Sequence, residues 1–315
     1  MELAPWMSST LAWLGSELAN QFPHIPPHFR SCDELKGSAR VDICGVNDKH
    51  HFDHIYMSKW YLEPERHVWE FILSVVILGP LCFQWYRVCM REMAARVESR
   101  TTDFVKNGVA QKVWGIVLLV VVAIQVYIKN SSERLGSHPA YLAQPCHGHC
   151  VILAMLSFID AEWARGLFHI TATQCWGPFL ALVAPDLPQD PFQIFVFYFQ
   201  HLLMMLVIWF RINSGARWMY TSQRWNYFGS VLMSCYHYWV LLPVSLYSGI
   251  NIATMTVPPD ALLVLGTHYR IVWACICILL QGLAVNTIKL CAKLKGVYPR
   301  EVKDADKNGS TKKLK

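Results

Sequence analysis

The sequence predicts an all-α, polytopic membrane protein with about seven transmembrane helices. Hydrophobic residues make up 54% of the chain and charged residues only 16%. The apolar residues come in blocks, and a block of about 18 residues with few charges is long enough to cross a bilayer as a helix. Seven blocks meet this criterion, approximately at residues 67–86, 112–129, 142–159, 166–184, 191–210, 227–248 and 271–291. Most of the chain is therefore expected to lie in the membrane.

The residues before the first block, 1–66, are predicted to form a luminal or extracellular extension. They are not a signal peptide, because they lack a basic start and Pro5 interrupts their first apolar stretch. That stretch instead predicts a short interfacial helix with its apolar residues on one face. Cys32 and Cys44 are candidates for a disulfide, since a luminal compartment permits one.

The blocks themselves are assigned to one membrane domain, residues 67–295. The third and fourth blocks carry the weakest signal, because polar residues or Gly177-Pro178 interrupt them. The last residues, 296–315, are polar and rich in lysine, which predicts a disordered cytosolic tail.

The distribution of lysine and arginine predicts how the spans are oriented. The segments after the first, fifth and seventh blocks are rich in these residues, whereas those after the fourth and sixth contain none before Arg270. Basic residues accumulate in cytosolic loops, so the N-terminus is predicted to be luminal or outside and the C-terminus cytosolic. This bias, together with contact with anionic lipid, explains the net charge of +6 better than nucleic-acid binding does.

Two histidines lie deep inside predicted spans. His201 is about ten residues, or about 15 Å, into the fifth block, and His237 lies similarly deep in the sixth. Ionisable side chains in a bilayer are costly unless they are paired or used, so both are functional candidates. With Gln200 and Tyr236 beside them, they favour a polar cavity within the membrane. The alternative is that each histidine hydrogen-bonds across helices for packing.

Cys146 is the candidate nucleophile, because a thiol and an imidazole together can form a covalent acyl-transfer site. It follows Pro145 at the start of the third block, where the positive end of a helix dipole favours a negative charge on sulfur. Cys146 is expected about one turn inside the membrane boundary, whereas His201 is near the midplane. Helix tilt must close that gap if the two act together. An ordinary interfacial polar cluster is the alternative.

A metal site is a further alternative. His149 and Cys150 lie three and four residues after Cys146 on one predicted helical face, and all three side chains are suitable zinc ligands. A fourth ligand would have to come from elsewhere. The resulting hypothesis is a polytopic metal-binding or transport protein, although the fourth to sixth blocks lack the acidic residues that cation pathways use. No nucleotide-binding loop occurs, and no cofactor is predicted.

Several short motifs, taken in order and spacing, resemble the transmembrane protein 164 family, a group of YwaF-type multi-pass membrane proteins. The motifs are Pro145-Cys146-His147, Phe197-Tyr198-Phe199-Gln200-His201, Arg224-Trp225, Tyr236-His237 and Tyr269-Arg270-Ile271-Val272-Trp273. The likeness extends from about Val68 to Cys291. The long extension before the first span and the His149-Cys150 pair depart from the family pattern, which weakens the metal hypothesis as a family trait.

The resemblance implies an acyltransferase that moves a polyunsaturated acyl chain from a donor phospholipid to a lyso-ether phospholipid without acyl-CoA. Such an enzyme supplies peroxidisable lipids and thereby promotes ferroptosis. It implies phospholipid and lysophospholipid partners and favours the endoplasmic reticulum, where phospholipid remodelling is concentrated. Carried over by position, Cys146 is the nucleophile and His201 the general base. More distant relatives hydrolyse fatty-acid esters with an intramembrane Thr–His pair, so a lipid ester hydrolase with the same dyad is another alternative.

Four further residues are candidates for supporting roles. His237, Gln200 and Tyr236 are candidates for orienting the base or stabilising the tetrahedral intermediate, which needs hydrogen-bond donors. Arg270, just before the last block, is the candidate ligand for a substrate phosphate, because guanidinium groups bind phosphate well. An interfacial anchor is the alternative role for Arg270.

Overall fold

The computed structural model describes residues 5–20, 62, 64–98, 107–130, 139–183, 185, 190–213, 220, 222–248, 251–256, 258, 262 and 264–294. Within these ranges every regular element is helical, which confirms the all-α class. The α-helices are α1 (Pro5–Asn20), α2 (Pro64–Glu98), α3 (Val109–Asn130), α4 (Pro145–Leu156), α5 (Glu162–Thr173), α6 (Trp176–Val183), α7 (Pro191–Asn213), α8 (Arg224–Tyr236), α9 (Leu242–Ser248) and α10 (Tyr269–Leu294). Short 3₁₀ turns cover Pro139–Ala143, Ile252–Thr254 and Gly266–His268, and a π-helical turn, His237–Leu241, joins α8 to α9.

Four of the described helices, α2, α3, α7 and α10, are long and apolar enough to cross a membrane. They coincide with the first, second, fifth and seventh predicted spans. Each carries large apolar side chains on its outer face, among them Val76, Leu119, Phe195 and Leu283. A helix satisfies its own backbone hydrogen bonds, so such a surface is stable in lipid. The chain is therefore a multi-pass membrane protein.

The predicted count of about seven spans is not confirmed, because the other three blocks do not form single long helices. In the third block, α4 has only 12 residues, or about 18 Å of helix, short of the hydrocarbon core. The fourth block is divided between α5 and α6 at Gln174-Cys175. Pro178 explains this break, since its ring clashes with the carbonyl four residues earlier, that of Gln174, and it has no N–H to donate.

In the sixth block the helix continues through a π-helical turn, His237–Leu241. Pro243 lies two residues after the end of that turn. A proline inside a helix removes one backbone hydrogen bond and crowds the preceding turn, and a wider turn accommodates its ring. His237 is the first residue of this distorted turn.

The helix predicted near the N-terminus is present as α1 and packs along α2. The two helices touch at Gly15, where an added Cβ would lie 2.8 Å from the Glu65 backbone nitrogen. The predicted Cys32–Cys44 disulfide and the tail from residue 296 fall outside the described residues.

The helix that carries Cys146 is held at its far end by Asn107. The Asn107 side-chain amide donates to the carbonyl oxygens of Leu156 and Ile159, both at 3.1 Å, and its backbone N–H donates to Asp160 Oδ1 at 2.8 Å. The last carbonyls of a helix lack partners within it, so these bonds satisfy the end of α4. A continuous apolar core formed by Leu118, Leu153, Phe168 and Met204 then packs α4 between α3, α5 and α7.

We expect Gly115→Ala to destabilise the protein, because α3 packs tightly at this residue against Ser157 and Phe158, which directly follow α4. An added Cβ would lie 2.5 Å from Ser157 Cβ and 2.8 Å from the Phe158 ring. Overpacking of this kind costs about 1–3 kcal/mol, although helix propensity by itself favours alanine. Thermal melting of the detergent-solubilised protein measures the loss. Gly282→Ala on α10, where nothing lies within 4 Å, is the matched control, and equal melting of the two variants would contradict the prediction.

Candidate active site

A cavity of about 380 Å³ lies among the helices. Its walls come from the end of α3, the start of α4, the break between α5 and α6, the first half of α7, the end of α8, the Ile252–Thr254 turn and α10. Cys146 and His201 both line this cavity, as do Gln200 and His237. The structure therefore brings together the two side chains that the sequence placed at different depths.

The Cys146 thiol lies in the first turn of α4, directly after Pro145 at the first helical position. In this structure its S–H donates to Gln144 Oε1 at 3.8 Å. A sulfur at this position lies beside the positive end of the helix dipole, which stabilises negative charge there. Cys146 is thus a cavity-lining thiol at a helix N-terminus.

His201 is held in the tautomer that a general base requires. Its Nδ1 lies 2.7 Å from the carbonyl oxygen of Phe197, one turn earlier in α7. A carbonyl can only accept, so Nδ1 carries the hydrogen and, in the neutral ring, Nε2 has the free lone pair. The ring is 5% exposed and lines the cavity.

Two more histidines in the cavity share this arrangement. His147 Nδ1 lies 2.8 Å from the Tyr141 carbonyl oxygen, and His237 Nδ1 lies 2.8 Å from that of Met233. Each ring therefore has Nδ1 as donor and Nε2 as acceptor when neutral. His147 directly follows Cys146, and consecutive helical residues point about 100° apart, yet both residues line the same cavity.

Gln200 offers a hydrogen-bond donor to the cavity. Its side-chain oxygen accepts from Gln125 Nε2 at 2.6 Å, which fixes the orientation of the amide. Among the described residues its own Nε2 has no oxygen or nitrogen partner and lies beside the Cys150 thiol, and the residue is 1% exposed. A thiol is a weak hydrogen-bond acceptor, so this buried amide can still donate to a ligand oxygen. Gln125 was not singled out from the sequence, although a glutamine in an apolar span is a detectable signal.

Tyr236 occupies a different position from the other supporting candidates. Its hydroxyl donates to the carbonyl oxygen of Ala143 at 2.6 Å. Ala143 ends the 3₁₀ turn that leads into α4. The Tyr236 proton is therefore engaged in fixing the segment just before Cys146.

Arg270 lies beside a different, much smaller cavity of about 30 Å³, which has room for about one water molecule. Its Nε lies 2.9 Å from Glu70 Oε2. Its Nη1 donates to the Met255 carbonyl oxygen and to His67 Nδ1, both at 3.1 Å. Arg270 is 2% exposed. The guanidinium thus anchors α10 to α2 through a buried ion pair, and the main cavity does not include it.

Lys129 is the cation of the main cavity, and it was not singled out from the sequence. Within the described part of the chain, it is the one lysine or arginine that lines the cavity, and no described aspartate or glutamate lines it. Its Nζ donates to Gln193 Oε1 at 3.3 Å and lies 4.9 Å from the centre of the Tyr141 ring. Lys129 is partly buried, and a positive charge that is partly withdrawn from water attracts anions more strongly than one in bulk solvent.

A strained turn forms another part of the cavity wall. Ala253 and Thr254 both have positive φ, 48° and 62°, a conformation that is costly for residues with a Cβ and most unusual for β-branched threonine. Asn251 Oδ1 braces the turn by accepting from the Thr256 backbone N–H and hydroxyl. The Thr254 hydroxyl is buried, and no described residue hydrogen-bonds to it. Nothing in the sequence marks this turn, since glycine or asparagine is expected there.

The metal hypothesis finds no ligand set in the described part of the chain. His149 lines the cavity and Cys150 is fully buried. Across those residues, no three side chains of His, Cys, Asp or Glu converge in a way that would hold a metal ion.

These features define an all-helical, multi-pass membrane protein in which a thiol and several imidazoles line one cavity. The chain belongs to the TMEM164 family, whose model matches residues 61–287, well over half of the chain. This match confirms the resemblance seen in the motifs. No curated protein and no solved structure matches the chain.

Proposed function

We propose that this protein is a membrane phospholipid acyltransferase that works without acyl-CoA. It moves a polyunsaturated acyl chain from a donor phospholipid to a lyso-ether phospholipid through a thioester on Cys146. The observation that carries the proposal is that the Cys146 thiol and the His201 imidazole line one cavity. The Nδ1 bond to Phe197 leaves His201 Nε2 as the acceptor. The family assignment supports the same activity.

In the first half of the reaction, the Cys146 thiol rotates away from Gln144 and gives its proton to His201 Nε2. The sulfur attacks the ester carbonyl of the donor, forming a tetrahedral intermediate. Collapse of the intermediate breaks the ester bond, and the leaving alkoxide takes the proton back from His201. The products are a lysophospholipid and an acyl thioester on Cys146.

In the second half, the hydroxyl of the acceptor gives its proton to His201 and attacks the thioester carbonyl. The Cys146 sulfur leaves and is reprotonated by His201, which restores the enzyme. The buried Gln200 amide, which lies beside the Cys150 thiol, is the proposed donor to the oxyanion in both halves. Apolar and aromatic walls, including Phe197, Trp176 and Trp273, limit the access of water to the thioester and so favour transfer over hydrolysis.

Purified protein in lipid nanodiscs tests the activity directly. The substrates are a phospholipid with an isotopically labelled polyunsaturated chain and an unlabelled lyso-ether phospholipid, with no CoA present. Mass spectrometry is expected to find the label on the ether lipid. If the label appears only as free fatty acid, the protein is a lipid ester hydrolase. If the label stays on the donor, the acyltransferase proposal is wrong.

The proposal includes a location and a topology. Seven crossings place the N-terminus in the lumen of the endoplasmic reticulum and the C-terminus in the cytosol. Reporter tags at the two ends, probed with antibodies after selective permeabilisation of the plasma membrane, test this arrangement. Staining of the N-terminal tag under those conditions would contradict it. In cells, loss of the protein is expected to lower polyunsaturated ether phospholipids and to reduce sensitivity to ferroptosis.

Gln125→Leu is expected to lower the rate of transfer by about tenfold, because Gln125 orients the Gln200 amide. Removing an oxyanion donor outright costs about 10²–10³-fold, and a misoriented donor retains part of its effect. Single-turnover thioester formation measures the loss. Gln111→Leu is the matched control, since Gln111 is also buried on α3 but lies outside the cavity lining. A Gln125→Leu rate equal to that of the control would remove Gln200 from the mechanism.

A further inference from the structure

Among the described residues that line the main cavity, Lys129 is the one lysine or arginine. Its position relative to the Gln200 amide and the His201 imidazole suggests what it binds. Lys129 lies in the last turn of α3, a helix of membrane-crossing length. The end of such a helix lies near the level of lipid headgroups, where lysine side chains meet phosphate. Charge and position together mark the Lys129 end of the cavity as a site for an anion.

Helices α3 and α7 place the Gln200 amide and the His201 imidazole deeper in the cavity. Gln125 lies one turn before Lys129 on α3, about 6 Å along the helix axis, and it bonds to Gln200 beside His201. Lys129 itself contacts Gln193, which lies in the first turn of α7. The antiparallel pair of helices therefore presents a cation at one level and an amide and an imidazole further in.

The Lys129 ammonium is also positioned in advance. Gln193 Oε1 accepts one of its hydrogens at 3.3 Å, and the Tyr141 ring faces it at 4.9 Å. Gln193 and Tyr141 are both at least nine-tenths buried. A held ammonium loses less side-chain entropy when it binds a ligand, which increases affinity.

We infer that Lys129 binds the phosphate of a glycerophospholipid and that the cavity selects phospholipids over uncharged glycerolipids. A glycerophospholipid carries its phosphate and its acyl ester on the same glycerol backbone. Placing the phosphate at Lys129 keeps the ester in the cavity that Cys146 and His201 also line. This inference concerns the substrate of the site whose chemistry is proposed above, and it assigns to Lys129 the role that the sequence assigned to Arg270.

Lipid binding without turnover tests the inference separately from catalysis. The protein carries Cys146→Ala and is titrated in detergent with a lysophosphatidylethanolamine or with a monoacylglycerol of the same acyl chain, and the bound lipid is counted by native mass spectrometry. Adding Lys129→Gln is expected to weaken lysophospholipid binding at least about tenfold and to leave monoacylglycerol binding unchanged. Lys129→Arg is expected to retain most of the affinity. Lys112→Gln, at the exposed start of the same helix, is the matched control.

Three results would overturn the inference. Equal loss of both lipids would mean that Lys129 only supports packing, which a lower melting temperature of both the glutamine and arginine variants would also indicate. Unchanged lysophospholipid binding would place the phosphate elsewhere. Complete competition by millimolar inorganic phosphate would identify a free anion as the ligand. If binding depends on Lys129 as expected and the wild type transfers no acyl chain, the phosphate site stands and the proposed reaction fails.

Discussion

Replacing Cys146 by alanine is expected to abolish acyl transfer while leaving the protein folded. The sulfur is the proposed nucleophile in the first half of the reaction and the leaving group in the second, so no later step can replace it. Loss of a nucleophile in a covalent mechanism lowers the rate by several orders of magnitude. Cys146 is only partly buried, so removing its sulfur leaves little empty volume in the core. Transfer of a labelled acyl chain in nanodiscs measures the effect.

The covalent intermediate provides a second and independent readout. Wild-type protein given donor phospholipid but no acceptor is expected to gain the mass of one acyl group on the peptide that contains Cys146, and hydroxylamine should remove it. The alanine variant should gain none. Cys175→Ala is the matched control, because Cys175 is also a partly buried free thiol near the cavity but does not line it. Full activity of Cys146→Ala would show that the thiol serves packing and would end the thioester mechanism.

Replacing His201 by glutamine is expected to lower the rate of thioester formation by about 10²–10⁴-fold, the usual contribution of a general base. The physical reason is the fixed tautomer, which leaves His201 Nε2 as the acceptor. Glutamine fills similar space, so the melting temperature should stay close to that of the wild type. Single-turnover mass spectrometry of the acyl-enzyme measures the rate. His268→Gln is the control, since His268 is exposed in the Gly266–His268 turn.

His147 and His237 also line the cavity with the same tautomer as His201, so the same substitution in each of them shows which imidazole is the base. If His201→Gln retains the wild-type rate, then His201 is not the base. In that case His147→Gln and His237→Gln identify which of the remaining Nε2 atoms takes the thiol proton. If all three variants are fully active, none of these imidazoles takes part in the proton transfer.

The long spans were predictable because they depend on a local property. A long run of apolar residues, such as that of α3 or α7, favours the bilayer over water regardless of how the rest of the chain folds. The short segments were harder. The effect of Pro178 and Pro243 on their helices depends on which neighbouring groups satisfy the backbone atoms that each proline leaves without a helical partner. Hydropathy measures neither effect.

The candidate site divides in the same way. Cys146 and His201 were found because a thiol at a predicted helix start and an imidazole in an apolar block are unusual in any context. Lys129 was not distinguished from other basic residues at span ends. Arg270 was a candidate phosphate ligand because a guanidinium binds phosphate well. Its buried partner Glu70 lies some two hundred residues earlier in the chain, so no local pattern connects the two.

Residue type and hydropathy within a short window thus predicted the membrane class, four spans that the structure contains, the family and the two candidate catalytic side chains. The common cavity, the tautomer of His201, the orientation of Gln200 by Gln125 and the separate environments of Lys129 and Arg270 came from packing. The physical reason is that these features depend on which helix faces meet. The Gln125–Gln200 bond joins residues 75 positions apart, and contacts at that distance arise only when the whole chain folds.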